Sequence, residues 1–153
     1  MPPFQVFLEE HRDRVFRFLV ASVGPHDAED CFQDTFISAL RAYPRLRPDS
    51  KLSAWVLTIA HRKALDVHRA RARHAIPVDE LPERGVEDQP RDGEHGLWTS
   101  ARDLPAKQRE ALLYRFAGDL PYADVAAAMG VSEDAARQSV SQGLKKLRKE
   151  LVG

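Results

Sequence analysis

Apolar positions recur every three to four residues along most of the chain and nowhere alternate in twos, a period that belongs to helices. Near the start, Phe7, Val15, Phe16, Leu19 and Val20 fall on one face, which predicts a helix from about Pro3 to Val23, ended by Gly24 and Pro25. Ala28, Cys31, Phe32, Thr35, Phe36 and Ala39 then predict a second helix reaching about Tyr43, with Asp27 as its N-cap. The two prolines of YPRLRPDS mark a loop, and Ser50 or Ser53 is placed to cap a long third helix ending near His74. From residue 75 to 96 the pattern stops. AIPVDELPERGVEDQPRDGEHG is rich in proline, glycine and acids and poor in large apolar residues, so it reads as an extended linker. Periodicity returns with LWTSARDL as a short lead-in, a helix starting at Pro105, and a short helix PYADVAAAMG. A final helix follows Ser132 to about Leu151, with Ala136, Val140, Leu144, Leu147 and Leu151 as its buried stripe. The expected fold is all-α: a domain at 1–74, a flexible acidic linker at 75–96, and a second small helical domain at 97–153.

Composition narrows the class. With 153 residues and 43% hydrophobic content the chain can bury one ordinary core or two small ones. No apolar run approaches the length of a membrane span, and MPPFQVFLEEHR lacks the basic start and apolar core of a signal peptide, so no membrane insertion is expected. The single cysteine excludes an internal disulfide framework and any multi-cysteine metal site, and it fits a reduced cytoplasmic setting.

Charge changes the picture more. The net formal charge is zero, but unlike blocks compose it. Residues 1–40 hold three basic and seven acidic groups, whereas 41–74 hold nine basic against two acidic. Residues 75–105 hold three basic against eight acidic, 106–135 three against five, and 136–153 five against one. Two basic blocks separated by an acidic one suggest two contacts with a polyanion.

Three groups of residues carry candidate chemistry. On the second helix Asp27, Asp30 and Asp34, with Gln33 at their edge, lie opposite the apolar face. A metal site there would need ligands from a facing element, and the neighbouring helices offer mostly bases. The basic third helix carries Arg62, Lys63, Arg69, Arg71 and Arg73, preceded by Arg45, Arg47 and Lys51. Trp55 and Tyr43 stand among these cations, where aromatics can stack unpaired bases; for Trp55 a plain core role is as good a reading. In the C-terminal unit a short helix, the turn Gly130-Val131-Ser132 and a longer helix have the layout of a helix-turn-helix. Arg137, Gln138, Ser141, Gln142 and Lys145 then face outward, the first of them suited to base edges, while Lys145, Lys146 and Arg148 suit phosphates. No nucleophile–base pair stands out, so no catalytic residue, metal or cofactor is expected.

Taken in order, DAEDCFQDTF, WVLTIAHRKALDVHR and LPAKQREALLYRFAGDLPYADVAAAMGVS resemble the extracytoplasmic-function group of bacterial RNA polymerase sigma factors. The resemblance spans nearly the whole chain, with residues 4–74 similar to the promoter-melting domain and 97–151 to the upstream-element domain. It implies that Asp30, Gln33 and Asp34 contact core RNA polymerase. It also implies that the loop from Pro44 to Ser53 captures a flipped base of the minus-ten element of promoter DNA. Arg45, Arg47, Lys51, Trp55, Arg62, Lys63 and Arg69 would serve that strand, and an anti-sigma protein would control activity. Two departures fall on DNA-reading positions: Arg62 replaces an asparagine common in the family, and Gln138-Ser139 with Gln142 replaces an S-R…R pattern. Two rival readings follow from the residues, a stand-alone helix-turn-helix regulator and a sigma mimic that sequesters an anti-sigma protein.

Overall fold

The structure, a computed structural model, describes residues 1–48, 50–74 and 93–152, so the expected linker falls outside the described residues except at its end. Helices α1 (Phe4–Val23), α2 (Pro25–Ala42) and α3 (Leu52–Arg73) form a three-helix unit, with a 3-10 turn at Tyr43–Arg45 closing α2. Helices α4 (Gly93–Ala101), α5 (Ala106–Leu112), α6 (Tyr122–Met129) and α7 (Glu133–Val152) form the second. Among the described residues there is no strand, and no helix is long and apolar enough to cross a membrane.

Local chemistry places the boundaries. Gly24, at φ +88, sits between α1 and α2; its N–H donates to Val20 O and its carbonyl accepts from Ala28 N. Pro25 then opens α2, where its missing N–H costs nothing. Asp27 is therefore inside the first turn of α2 and not its N-cap, as the chain turned earlier than the polar residue suggested. Neither Ser50 nor Ser53 caps α3: Lys51 occupies that position with no side-chain capping hydrogen bond, and Ser53 instead lies 3.5 Å from His11 Nδ1. The linker is shorter than expected, because Gly93 to Gly96 already belong to α4.

The core of the first unit gathers Phe7, Val15, Phe18 and Leu19 of α1 with Val56, Leu57 and Ala60 of α3, all fully buried. Phe16, expected inside, is 37% exposed and meets Phe32 edge-on at the surface, while Phe18 points inward in its place. Val20 is only partly buried. In the second unit Ala136, Val140 and Leu147 are buried as expected, and Leu144 is partly so; the Leu151 side chain lies outside the described residues. Gly143 continues this stripe, and a Cβ there would stand 3.0 Å from Leu112 Cδ1.

The two units pack against each other. Tyr114 stacks on Phe18 with ring centroids 5.5 Å apart, and His61 Nε2 lies 3.6 Å from Glu110 Oε2. A π-helical turn at Leu113–Ala117 makes this contact possible. Gly118 N donates to Leu113 O, five residues back, and Ala117 O, whose helical partner would be the N–H that Pro121 lacks, accepts from Arg17 Nε at 3.2 Å. Gly118 then lies so close to Leu57 and Phe18 that a Cβ would stand 2.7 Å from Leu57 Cδ1 and 2.9 Å from Tyr114 O. Buried aromatic and aliphatic contacts thus join the two units, which the flexible linker expected from the sequence did not indicate.

Candidate partner and nucleic-acid interfaces

On α2 the 3.6-residue period separates two faces cleanly. Ala28, Cys31, Thr35, Phe36 and Ala39 are buried, while Glu29, Asp30, Gln33 and Asp34 are exposed. Thr35 satisfies its buried hydroxyl by donating to Cys31 O at 2.7 Å. Burial, followed by the charges of Asp34 and Asp30, pushes the Cys31 thiol up and keeps it protonated, so it serves as a small core residue. The acidic stripe is not uniform. Asp27 is spent inside the protein on Arg71, which also donates to Val23 O, whereas Asp30 and Asp34 have no ion-pair partner among the described residues. Ile37 and Leu40 continue the same exposed face, at 48% and 54% exposure. Large apolar side chains on the polar side of a helix were the available signal in the sequence, and pattern reading centred on the acids passed over them.

The basic set on α3 divides in three. Trp55, Arg62, Lys63 and Arg69 line one open pocket of about 500 Å³ together with Ser38, Ala42, Ile59, Leu65 and Asp66. Arg69 is partly neutralised by Asp66 at 3.6 Å; Arg62 has no ion pair among the described residues. Trp55 packs on Phe7 and Tyr43 as a core residue would, and it also lines the pocket. Tyr43 does not offer a stacking face: it is buried against Phe4 and Phe7, with its hydroxyl donating to Pro2 O. Arg45 and Arg47 stand exposed on the turn before the helix. Lys51 is drawn across to the second unit, where its Nζ meets Asp124 Oδ1 at 3.0 Å.

The helix-turn-helix forms as its residues require. Gly130 adopts the left-handed conformation at φ +72, and its N–H and that of Val131 return to Ala126 O. Ser132 Oγ accepts from Ala135 N, capping α7. Arg137, Gln138, Ser141, Gln142, Lys145 and Lys146 are all exposed. Two of them are held in ways the sequence did not indicate. Arg137 pairs with Glu133 at 2.9 Å and lies over the Tyr122 ring, which Arg115 also covers. Gln142 Oε1 accepts from Gln108 Nε2 at 3.4 Å.

Comparison with known proteins agrees with this geometry. Residues 7–74 match Sigma-70 region 2, and residues 97–147 match Sigma-70, region 4. The ECF RNA polymerase sigma factor ShbA of Streptomyces griseus is 33% identical over 135 residues, covering 80% of this chain and 71% of that one. This chain belongs to the ECF sigma factors. SigD of Mycobacterium tuberculosis, another ECF sigma factor, is also 33% identical, over 95% of this chain and 75% of its own length. Two solved structures share the fold over 97% of the chain. One is the sigma factor RpoE in complex with the anti-sigma factor NepR from Bartonella quintana, at TM-score 0.75, 24% identity and 96% coverage of that chain. The other is CnrH in complex with the cytosolic domain of CnrY, at TM-score 0.73, 21% identity and 86% coverage. As an ECF sigma factor the chain works in transcription initiation, and its second unit is a DNA-binding helix-turn-helix.

Proposed function

We propose that this ECF sigma factor docks on core RNA polymerase through the exposed face of α2, with Asp30, Gln33 and Asp34 as its polar contacts. The observation that carries this reading is the composition of that face. Carboxylates with no ion-pair partner among the described residues stand beside Ile37 and Leu40, and an apolar centre with a charged rim is what a protein interface needs. The pocket of Trp55, Arg62, Lys63 and Arg69, flanked by Arg45 and Arg47, takes the separated minus-ten strand, with cations for the backbone and the indole for a base. Lys51 joins them once it leaves Asp124. Helix α7 reads the upstream element through Arg137, Gln138, Ser141 and Gln142, and Lys145 and Lys146 hold phosphates. The functional domains are 1–74 and 97–153, joined by the acidic segment 75–96. The protein acts in the cytoplasm, catalyses no reaction itself, and is regulated by an anti-sigma protein. Support for the last point comes from the solved sigma factor RpoE, which is described in complex with the anti-sigma factor NepR.

Run-off transcription with purified core polymerase over a promoter panel tests the reading. Transcript that depends on this protein supports it. Core binding without transcript, or sequestration of an anti-sigma protein without core binding, would favour a mimic instead.

A further inference from the structure

A cavity of about 250 Å³ lies between the two units, apart from the α2 face, the α3 pocket and α7. Ala64, Leu65, Trp98 and Leu113 make much of its lining apolar. Arg102 and Arg109 supply cations, His61 and His68 complete its polar part, and none of its lining residues is acidic. Burial lowers the pKa of both histidines, so near neutral pH the positive charge comes from the arginines. Among the described residues Glu110 stands beside His61, 3.6 Å from its Nε2, and burial pushes its carboxyl up.

The donors here are incompletely used. Arg109 is fixed by Nη1, which donates to Arg102 O and Leu104 O, and this leaves its other N–H groups available. The exposed Arg102 guanidinium has no hydrogen bond or ion pair among the described residues, while the neighbouring Arg71 is already paired with Asp27. Trp98 Nε1 is buried with no hydrogen-bond acceptor among the described residues. A buried indole N–H without an acceptor has given up its bond to water for nothing, which is costly. Among the described residues, a guanidinium without an ion pair at the mouth, an unused indole N–H within and a lining without carboxylates together call for an anion.

We propose that this cavity binds a small organic carboxylate with an apolar body. Arg102 and Arg109 take the carboxylate, since a guanidinium matches its two oxygens, and Trp98, Leu65 and Leu113 take the body. At about 30 Å³ for each water-sized group, the space suits a ligand the size of phenylacetate. Helices of both units line the cavity, so the ligand stabilises their packed arrangement by mass action. The proposal is independent of the polymerase reading and requires only the packed chain.

Titration calorimetry of the full chain with phenylacetate, and with its neutral isostere phenylacetamide at the same ionic strength, tests it. The expected result is saturable one-to-one binding of the acid and at least tenfold weaker binding of the amide. Arg102→Gln, at a side chain with no hydrogen bond or ion pair among the described residues, should weaken the acid at least tenfold and leave the melting temperature of the free protein unchanged. Amide chemical shifts should move at Ala64, Leu65 and Leu113. Absence of saturable binding to the folded wild-type chain overturns the proposal. So does equal affinity for acid and amide, or an affinity indifferent to Arg102→Gln.

Discussion

Acidification should weaken this fold through His61. The side chain is 15% exposed, lies against the rings of Phe18 and Tyr114, and has an unpartnered Nδ1. Burial, reinforced by the positive charges of Arg109, His68 and Arg62, lowers its pKa from 6.5 to about 4. Above pH 6.5 the imidazole is neutral in both folded and unfolded chains, and it makes no difference to the balance. As the pH falls below 6.5 the unfolded chain takes up a proton that the folded chain refuses. The loss grows to about 2 kcal/mol at pH 5 and is complete, at roughly 3 kcal/mol, near pH 4. Glu110 works in the opposite sense: burial raises its pKa, so the folded chain gains that proton first and recovers part of the loss. His11 and His68, both lowered chiefly by burial, add to the loss. Comparing wild type with His61→Gln isolates the one residue. Urea unfolding followed by circular dichroism at pH 7.5 and pH 5.0 should show the variant losing about 2 kcal/mol less than wild type between the two conditions. Equal losses in both proteins would refute the assignment of the pH response to His61.

Gly118→Ala should destabilise the chain by about 1–3 kcal/mol, because the new methyl meets Tyr114 O and Leu57 at the contact between units; an unchanged urea midpoint would show that the contact yields freely. Asp30→Arg with Asp34→Arg should slow association with core polymerase and leave the melting temperature within a degree or two, since neither carboxylate has an ion pair among the described residues; an unchanged native-gel shift would reduce the stripe to a solvated face. Arg137→Ala should cost about 1–3 kcal/mol of upstream-element binding in the assembled complex and alter sequence preference, whereas Lys145→Ala should weaken all sequences alike and reduce the salt slope by about one. Footprint titrations at several salt concentrations separate the two.

How much of this was legible in the sequence depended on range. The two faces of α2 follow from a 3.6-residue period within one helix, and the structure places Asp30, Gln33 and Asp34 outward as that period requires. The turn at Gly130 and the cap at Ser132 are equally local, and both formed. Phe16 and Phe18 were misread because α1 packs against α2 and α3 on one side and the π turn on another, so one stripe cannot describe its buried surface. The π turn itself inserts a single residue into an ordinary helical pattern and leaves no periodic trace. Tyr43 looked available because cations surround it in the chain, but Phe4 and Phe7, far away in sequence, enclose it. The Trp98 and Arg102 cavity was invisible for the same reason, since its lining comes from four separate stretches.

The packed arrangement bears on how the DNA-facing residues become available. Lys51 belongs to the basic set before α3, yet it is paired with Asp124 on the first helix of the helix-turn-helix. The lysine is 59% exposed in this pair, so the interaction is worth at most about 1 kcal/mol and weakens with salt. Breaking it is easy; clearing the site is harder. A DNA phosphate that took Lys51 would meet the Asp124 carboxylate at close range, and like charges at that distance oppose the contact. Asp124 is fixed to α6, which reaches the first unit through the same face that holds Tyr114 on Phe18 and Gly118 against Leu57. Moving the carboxylate away therefore disturbs buried apolar contacts that far outweigh the ion pair. Strand capture by Lys51 and close packing of the two units compete, and the aromatic contact sets the balance between them. A Phe18→Ala chain, with that contact removed, should engage single-stranded DNA more tightly than wild type at low salt, with Lys51→Ala abolishing the gain. Equal affinities for wild type and Phe18→Ala would show that the packed units leave the basic set open.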